Sequence, residues 1–406
     1  MGTVDELIRE LQSSRSYKER RDAASALGRL GEPKAVPALL RTLKNYREDT
    51  EVLHAAAHAV GKIGDLYAVP ELLDAYEASG NKVETPIFEA IGEILGRTSP
   101  DDDNSREIYS RAVDTLIQAV QNHRASDESC AAAARALGKT RDPKAIPVLM
   151  NHLLEDHRRE VRVAAAVALR HFNHPQAIHA LVAATNKKIP RGVREAAVQS
   201  LGVIGNPNAV DTLIQILEDG SEEYFIRTEA ARALGRIGDP KAIEPLIRTL
   251  HNEWHKTAGG LRKTIAEALG AFRGPRVTDA LVQALGYEYY TAHAAAESLK
   301  KHRDRRAVEP LIRRLEDKRS GGYRRALPAQ ILGVLGDPRA IPALAKALHD
   351  DDADIRKAAS QSLLAFVPTH PDAILRLPPD DRHRLGRQIQ DAQRDELVQK
   401  LCGYHR

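Results

Sequence analysis

A pair of residues, most often Leu-Gly, recurs throughout this chain at a spacing near 32 residues. The steps between successive pairs are 33, 31, 46, 32, 32, 33, 35, 30, 33 and 31 residues, so the period persists with one insertion. Such a period predicts a repeat architecture, in which each helical hairpin buries its apolar face against its neighbours. The pairs are Leu27-Gly28, Val60-Gly61, Ile91-Gly92, Leu137-Gly138, Leu169-Arg170, Leu201-Gly202, Leu234-Gly235, Leu269-Gly270, Leu299-Lys300, Leu332-Gly333 and Leu363-Leu364.

The seventh repeat indicates how each hairpin is encoded. Gly238 can adopt the left-handed conformation that ends a helix. Asp239 is suited to cap the next helix and Pro240 to occupy its first turn, so a second helix is predicted over 241–250. One face of the first helix is apolar, at Ile226, Ala230, Ala233, Leu234 and Ile237.

The composition agrees with helix-on-helix packing. Hydrophobic residues make up 42% of the chain but aromatic residues only 4%, so the core must be built from many small and aliphatic side chains. We predict an all-α fold, a right-handed α-α superhelix (α-solenoid) forming one domain over 1–406. It comprises a cap helix in 1–16, about eleven repeats in 17–367 and a cap helix in 368–406. The insertion coincides with the polar segment 98–105, which is predicted to be a loop.

The cysteine content and the N-terminal sequence predict the compartment. Cys130 and Cys402 are the only cysteines, too few for a disulfide framework or a cysteine-only zinc site. Cys130 lies in an Ala-rich helix and is interpreted as a small core residue. The N-terminal residues lack the apolar core of a signal peptide, and no apolar run reaches the roughly 18–20 residues of a membrane span. We therefore expect a cytoplasmic protein without a membrane segment.

The repeated pattern resembles the HEAT-like repeat first described in phycobilisome lyase (PBS lyase) subunits and found in bacterial scaffold proteins. The resemblance covers 17–367. It implies an α-solenoid whose second helices line the concave side. It implies no particular function, since such repeats serve unrelated roles. The outward column on the second helices is predicted to be Arg41, Asp74, Gln118, Asn151, Ala183, Gln215, Arg248, Gln283, Arg313 and Lys346.

Three enzymatic interpretations were tested against the residues. Deoxyhypusine hydroxylase, a HEAT-like enzyme, holds iron with His-Glu dipeptides, but none of the sixteen histidines here is followed by Glu. His54 and His58 share a helix face, yet two histidines are an incomplete zinc shell. No residue set marks the chromophore pocket that a phycobilin lyase needs. We therefore predict no catalytic residue, metal site or cofactor, and keep a lyase-like subunit as an alternative.

The basic charge is concentrated late in the chain. Residues 251–348 contain 18 Lys and Arg against 10 Asp and Glu, a net charge of 18 − 10 = +8, whereas the whole chain carries +4. Three neighbouring connections between repeats, 254–263, 286–293 and 318–325, replace the acidic residues usual there with Trp, Tyr, Lys and Arg. Because successive connections lie side by side, these residues should line one edge.

We therefore predict a non-catalytic scaffold or adaptor. It would bind a protein partner, with acidic groups where it meets the cations, through the concave face and the basic, aromatic edge of repeats seven to ten. Nucleic acid is the alternative ligand, because aromatic side chains interleaved with cations also bind bases and phosphates. The residues predicted to bind are Arg248, Trp254, Lys256, Arg262, Lys263, Tyr289, Tyr290, Arg313, Lys318, Arg319, Tyr323, Arg324 and Arg325.

Overall fold

The computed structural model describes residues 3–45, 47–78, 83–122, 124–252 and 259–387. These residues form 24 α-helices and six short 3-10 helices, and they contain no β-strand. The all-α class predicted from the sequence is confirmed. The chain divides into two compact units, Met1–Ala209 and Val210–Arg406.

The first unit holds twelve α-helices among its described residues. They alternate between first and second helices of successive hairpins, after an initial helix α1 that precedes the first repeat. Their bounds are α1 Val4–Ser13, α2 Tyr17–Leu30, α3 Val36–Leu43, α4 Thr50–Ile63, α5 Val69–Ala78, α6 Glu84–Leu95, α7 Asp103–Gln121, α8 Asp127–Thr140, α9 Ala145–Glu155, α10 Arg159–Leu169, α11 Pro175–Ala183 and α12 Arg191–Ile204.

The second unit also holds twelve α-helices among its described residues, and the same alternation continues from α13 to α22. Two further helices follow the last repeat. Their bounds are α13 Val210–Glu218, α14 Tyr224–Ile237, α15 Ile243–Asn252, α16 Gly259–Leu269, α17 Pro275–Ala284, α18 Tyr289–His302, α19 Val308–Glu316, α20 Tyr323–Leu335, α21 Ile341–Ala347, α22 Ala353–Phe366, α23 Pro371–Leu375 and α24 Pro379–Arg387.

Within each unit, first helices stack on first helices. In the first unit the order of contact is α2, α4, α6, α8, α10 and α12, and in the second it is α14, α16, α18, α20 and α22. Most second helices also contact the next second helix, as α5 contacts α7 and α13 contacts α15, and each packs against the first helix that follows it. This arrangement buries apolar side chains between the two layers, as the 32-residue period predicts. That both units belong to one continuous array over 1–406 remains a prediction.

The Leu-Gly period marks the points of closest approach between successive first helices. A Cβ atom on Gly28 would lie 2.7 Å from the Cα atom of Ala59. Carbon atoms pack at about 3.5–4.0 Å, so a side chain does not fit there. Glycine facing a small residue therefore sets the spacing of the hairpins. The same contact recurs for Gly61 on Ala90, Gly92 on Ala136, Gly138 on Ala168 and Gly235 on Ala268.

The turn within the seventh hairpin has the predicted order of a left-handed glycine, a capping Asp and a Pro, with one difference. Gly238 has φ 72° and ψ 17°, in the left-handed region, and the Asp239 side chain accepts a hydrogen bond from the Lys241 amide. The second helix was predicted over 241–250. It instead begins with a 3-10 turn, Pro240–Ala242, and continues as α15. The tighter turn is favoured because Asp239 caps it from only two residues away.

The prediction of a loop over 98–105 is wrong at its end. Asp102 accepts a hydrogen bond from the Ser105 amide at 2.7 Å, and the Ser105 hydroxyl accepts one from the Asp102 amide at 3.1 Å. This reciprocal capping starts α7 at Asp103. The inserted residues therefore lengthen α7 as well as the connection before it, because Asp and Ser favour helix N-termini as strongly as loops.

Both ends of the described chain carry helices that pack on the terminal repeats. Helix α1 begins with a capping box between Thr3 and Glu6 and buries Leu11 against α2 and α3. Near the other end, α24 begins at Pro379, contacts α22 and buries Leu385 completely. The remainder of the predicted C-terminal cap, including Cys402, lies outside the described residues.

No helix in the described part of the chain combines the length and the apolar character needed to cross a membrane.

The close approach at the repeated glycines predicts the effect of adding one carbon atom. A Cβ atom on Gly235 would lie 2.8 Å from the Cα atom of Ala268. We expect Gly235→Ala to lower the free energy of unfolding by about 1–3 kcal/mol, the usual cost of overpacking a core. Urea denaturation followed by circular dichroism measures this change.

Gly220→Ala is the matched control, because nothing lies within 4 Å of its added Cβ atom. It should leave stability unchanged or raise it slightly by restricting the unfolded chain. Equal losses in the two variants would contradict the proposed role of the repeated glycine.

Candidate functional site

The column predicted on the second helices is exposed at all ten positions. Two of its cations pair with a glutamate of the preceding second helix: Arg248 lies 2.7 Å from Glu218, and Lys346 lies 3.2 Å from Glu316. The helical periodicity therefore identified the outward face correctly. It could not indicate which of the cations have partners.

An open groove of about 690 Å³ lies between α17 and α19 on this face. Gln283 and Arg313, both members of the column, line it. Arg314 lines its edge and donates a hydrogen bond to the Gln283 carbonyl oxygen at 3.1 Å. Burial lowers the pKa of Arg314. The groove therefore combines three acidic residues with three arginines and has a mixed charge.

Aromatic side chains, two of them exposed and two half-buried, meet at the start of α18 and α20. We call this the aromatic strip, defined as Tyr289, Tyr290, His293 and Tyr323. The Tyr289 ring centroid lies 5.5 Å from that of Tyr290, 4.2 Å from that of His293 and 5.3 Å from that of Tyr323. Tyr289 is nevertheless 52% exposed and Tyr290 68% exposed. The strip is thus held in place by ring contacts while it faces solvent.

Four cations in α19, in the connection that follows it and in α20 lack an acidic partner among the described residues. They are Arg313, Arg314, Lys318 and Arg324, and no carboxylate lies within 4.0 Å of any of them there. The Arg324 guanidinium stacks 5.8 Å from the centroid of the Tyr323 ring. Arg324 therefore places a cation without a described acidic partner against the strip, whereas Arg313 and Arg314 share their groove with three acidic residues.

Arg325, predicted to bind a partner, is instead buried. Its Nε donates to the Leu315 carbonyl oxygen at 2.8 Å, and its Nη2 lies 2.5 Å from the Asp350 carboxylate. Burial alone raises the pKa of Asp350, but the hydrogen bonds from Arg325 and from a backbone amide bring it below the usual range. Arg325 thus joins consecutive repeats, and we leave it out of the binding surface.

Arg262 is half-buried and belongs to a second contact of the same kind. It lies 3.2 Å from Glu288 and stacks 4.9 Å from the Tyr287 ring centroid. The Tyr287 hydroxyl lies 2.6 Å from the His251 Nδ1. The Tyr287 carbonyl oxygen accepts a hydrogen bond from Tyr323 at 3.1 Å. Tyr287 was not among the predicted site residues, yet it connects three repeats beneath the strip.

The other predicted residues divide into two sets. Lys263 and Arg319 are exposed but paired, at 3.5 Å from Glu267 and at 3.1 Å from Asp317 respectively. Trp254 and Lys256 lie outside the described residues.

An arginine that recurs at the repeat period has a structural role. Its recurrence distinguishes it from the exposed Arg324. In several repeats an arginine near the start of the first helix donates Nε to a carbonyl oxygen at the end of the preceding second helix. Such a cation neutralises the partial negative charge at a helix C-terminus. The pairs are Arg162 with Leu153, Arg194 with Thr185, Arg227 with Leu217 and Arg325 with Leu315. Recurrence of this arginine at the repeat period is the signal that could have assigned Arg325 to structure.

The most strongly perturbed carboxylate lies in the first unit. Burial alone raises the pKa of Asp156, but hydrogen bonds from Arg158 and His152 bring it well below its usual range. Its carboxylate lies 2.9 Å from Arg158 Nη2 and 2.7 Å from His152 Nδ1. Arg158 also lies 3.1 Å from the sulfur of Cys130, which is fully buried as predicted. Because these groups satisfy one another in the interior, the cluster is structural.

The histidine pair considered for zinc is exposed on α4, at His54 and His58. Among the described residues, no group of three or more His, Cys, Asp or Glu could hold a metal ion.

Stacked helical hairpins with one exposed second-helix column define an all-α repeat protein. The chain belongs to the family of HEAT repeats. The family model for HEAT repeats matches residues 4–92, 113–202, 190–258 and 287–365. The model for the PBS lyase HEAT-like repeat matches 261–287. No curated protein matches the sequence.

Several solved structures resemble the chain. Kap121p is 12% identical over 98% of this chain and 51% of its own length, with a TM-score of 0.56. Importin beta is 13% identical over 98% of this chain and 68% of its own, with a TM-score of 0.51. The CpcE–CpcF complex of phycocyanin lyase from Nostoc sp. PCC7120 is 24% identical over 61% of this chain and 93% of its own, with a TM-score of 0.38. The likeness to the first two concerns the fold alone, and the third score supports no structural argument.

Two adjacent arginines provide a test of the structural assignment. Arg325→Ala leaves the Asp350 carboxylate, which is mostly buried, without its partner. We expect the free energy of unfolding to fall by about 3–5 kcal/mol, the usual cost of breaking a buried pair. Arg324→Ala, one residue away and exposed, should change stability little. Chemical denaturation of both variants checks this, and equal stability of the two would contradict the assignment.

Asp156 predicts a dependence of stability on pH. Its folded pKa lies below the unfolded value, so its contribution is fully present above about pH 4 and is lost as the pH falls further. Asp156→Asn should lower the free energy of unfolding at neutral pH by about 3–5 kcal/mol, because Arg158 remains buried and charged. The decline in stability below pH 4 should then be shallower than in the wild type.

Urea denaturation at a series of pH values measures both effects. Asp114→Asn is the control, since this exposed carboxylate lies 3.8 Å from Lys144. A pH profile for Asp156→Asn that parallels the wild type would refute the role assigned to Asp156.

Proposed function

We propose that this protein is a non-catalytic scaffold that binds a protein partner through its second unit. The contact surface would comprise the aromatic strip, the unpaired cations beside it and the outward face of α15, α17, α19 and α21. The observation that carries the proposal is the aromatic strip, because ring contacts preorganise it while Tyr289 and Tyr290 remain exposed.

Exposed aromatic side chains held by one another suit a binding hot spot. Tyrosine supplies a large contact area with few rotatable bonds, so little conformational entropy is lost on binding. Tyr289 contacts three other rings and is still half exposed. Burying Tyr289 and Tyr290 under a partner would remove apolar surface from water without reorganising the protein.

The unpaired cations favour an acidic partner surface. Arg313, Lys318 and Arg324 need not break an ion pair with the described residues before they meet a carboxylate. Their positive field would also accelerate association with an acidic protein. Arg248, Lys263 and Arg319 already have partners, so we assign them a smaller contribution.

Known structures of similar fold support a protein ligand. Kap121p has been solved with Pho4p and with the extreme C-terminus of the protein phosphatase Cdc14p. The fold similarity to Kap121p supports a protein as the kind of ligand proposed for this chain.

We also infer that the protein carries no catalytic centre of its own. The perturbed groups Asp156 and Arg158 are buried and paired with each other. Because both side chains are buried and occupied by each other, this cluster does not offer a group to a substrate. A lyase-like activity is the alternative, motivated by the PBS lyase HEAT-like repeat at 261–287. A coloured chromophore that copurifies with the protein would support that alternative.

Nucleic acid is the second candidate ligand. Arg324 stacked on Tyr323 beside further exposed tyrosines is also a surface on which bases can stack. Binding to a fluorescein-labelled oligothymidine of about twenty nucleotides would be measured at increasing salt. Binding that weakens steeply with salt and is lost in Tyr289→Ala/Tyr290→Ala would favour this candidate.

The strip provides the test of the proposed function. Wild type, Tyr289→Ala/Tyr290→Ala and Tyr67→Ala would be used to capture proteins from native lysate, with quantification by mass spectrometry. Tyr67 is the matched control, since it is 57% exposed but lies in the first unit. We expect one or more acidic proteins whose capture falls about tenfold or more in the double variant only. Identical capture by all three proteins would overturn the proposal.

A further inference from the structure

A second groove lies between the first helices α16 and α18, next to the aromatic strip. It has a volume of about 520 Å³, within the range of ligand-binding clefts. Tyr290 and His293, both members of the strip, form part of its wall. The groove therefore begins at the strip and runs between α16 and α18 towards their C-terminal ends.

The floor of this groove is built from small residues. Gly270, Ala294 and Ser298 line it, and Gly270 and Ser298 are so close that a Cβ atom on Gly270 would lie 2.6 Å from the serine hydroxyl. Tyr290 and Lys301 mark its two ends on α18. They are eleven residues apart on one helix, so the groove is about 16 Å long at 1.5 Å per residue.

The charges in the groove are balanced except at one end. Lys263 lies 3.5 Å from Glu267, and Glu297 lies 2.9 Å from Lys300, which stands beside the groove. Lys301 is exposed, and no carboxylate lies within 4.0 Å of it in the described part of the chain. One end of the groove thus offers an aromatic wall, and the other offers one cation without a partner.

The width of the groove excludes a helical ligand. Packed helices lie about 8–10 Å apart, and α16 and α18 are in contact. A helix with its side chains is about 10–12 Å across, so it could lie over the groove but could not enter it. An extended chain rises about 3.3 Å per residue, and roughly five residues would span the groove.

We propose that this groove binds an extended acidic segment of the protein partner. A large apolar side chain of the segment packs against Tyr290 and His293, and an Asp or Glu three to five residues away pairs with Lys301. The inference rests on the proposed function and specifies which part of the partner the second unit recognises. The unpaired charge of Lys301 at one end and the exposed Tyr290 at the other determine both the chemistry and the spacing.

Selection from a phage-displayed library of random linear heptapeptides on the full chain tests this inference. We expect enriched peptides to contain a large apolar residue with Asp or Glu three to five positions away. Synthetic copies of those peptides would then be titrated against Lys301→Glu, which reverses the charge, and Ala294→Gln, which fills the groove. Both variants should weaken binding by about tenfold or more.

Matched controls separate an effect on the groove from a general one. Lys357→Glu makes the same charge reversal and Ala365→Gln the same enlargement, each at an exposed position of α22. Both controls should bind the peptides as the wild type does. Unfolding midpoints of all four variants would establish that the groove variants are folded.

The outcomes distinguish the groove from the proposed function as a whole. Peptides with the expected spacing that fail on both groove variants and bind the controls would support the inference. If the peptides bind the groove variants normally but do not bind Tyr289→Ala/Tyr290→Ala, the inference about the groove is wrong. The proposal that the aromatic strip binds a protein would then be retained. If no peptide is enriched, the inference is also wrong, and lysate capture then decides separately whether the scaffold proposal survives.

Discussion

The close approach of first helices at seven junctions of the described chain, with glycine against alanine or serine, is the contact on which most of the stack depends. Where the facing residue is serine, its hydroxyl also donates to a carbonyl oxygen of the neighbouring helix, as Ser298 does to Ala266 at 2.9 Å. A fixed distance between first helices brings successive connections into line. At the junction of α18 with α20 the repeated pair is Leu299-Lys300, without glycine, and the starts of these two helices meet through the rings of Tyr289 and Tyr323. The aromatic strip therefore lies where a ring contact joins two successive first helices.

The period allowed most of the fold to be predicted, because every repeat must satisfy the same packing condition. Gly238 and the exposed second-helix column follow from that condition and were placed correctly. Segment 98–105 interrupts the period, and only local preferences remain there. Asp102 and Ser105 suit a loop and a helix start equally well. Contacts made in three dimensions decide between them, as when the Tyr109 hydroxyl donates to the Thr140 carbonyl oxygen at 2.6 Å.

The candidate site was less predictable, since its chemistry depends on which charges are already neutralised. Arg324 and Arg325 are adjacent and chemically identical, yet one is exposed and the other is buried against Asp350. The partner is 25 residues further on in the next connection, and charge counting along the sequence cannot detect it. Only comparison between repeats separates them, because a cation that recurs at the period serves the array. Lys318 departs from the period and is exposed, which is why it belongs to the proposed contact surface.

Two hairpins close on an unexpected residue. Arg141 and Arg303 have φ values of 57° and 51°, at the position that glycine occupies in Gly31, Gly205 and Gly238. Holding a side chain in this left-handed conformation costs about 1–2 kcal/mol relative to glycine. Natural sequences are selected to exceed a stability threshold and are rarely at their optimum. A single substitution by glycine at either turn would therefore remove this strain. It would raise the free energy of unfolding and give a more stable variant for structural work.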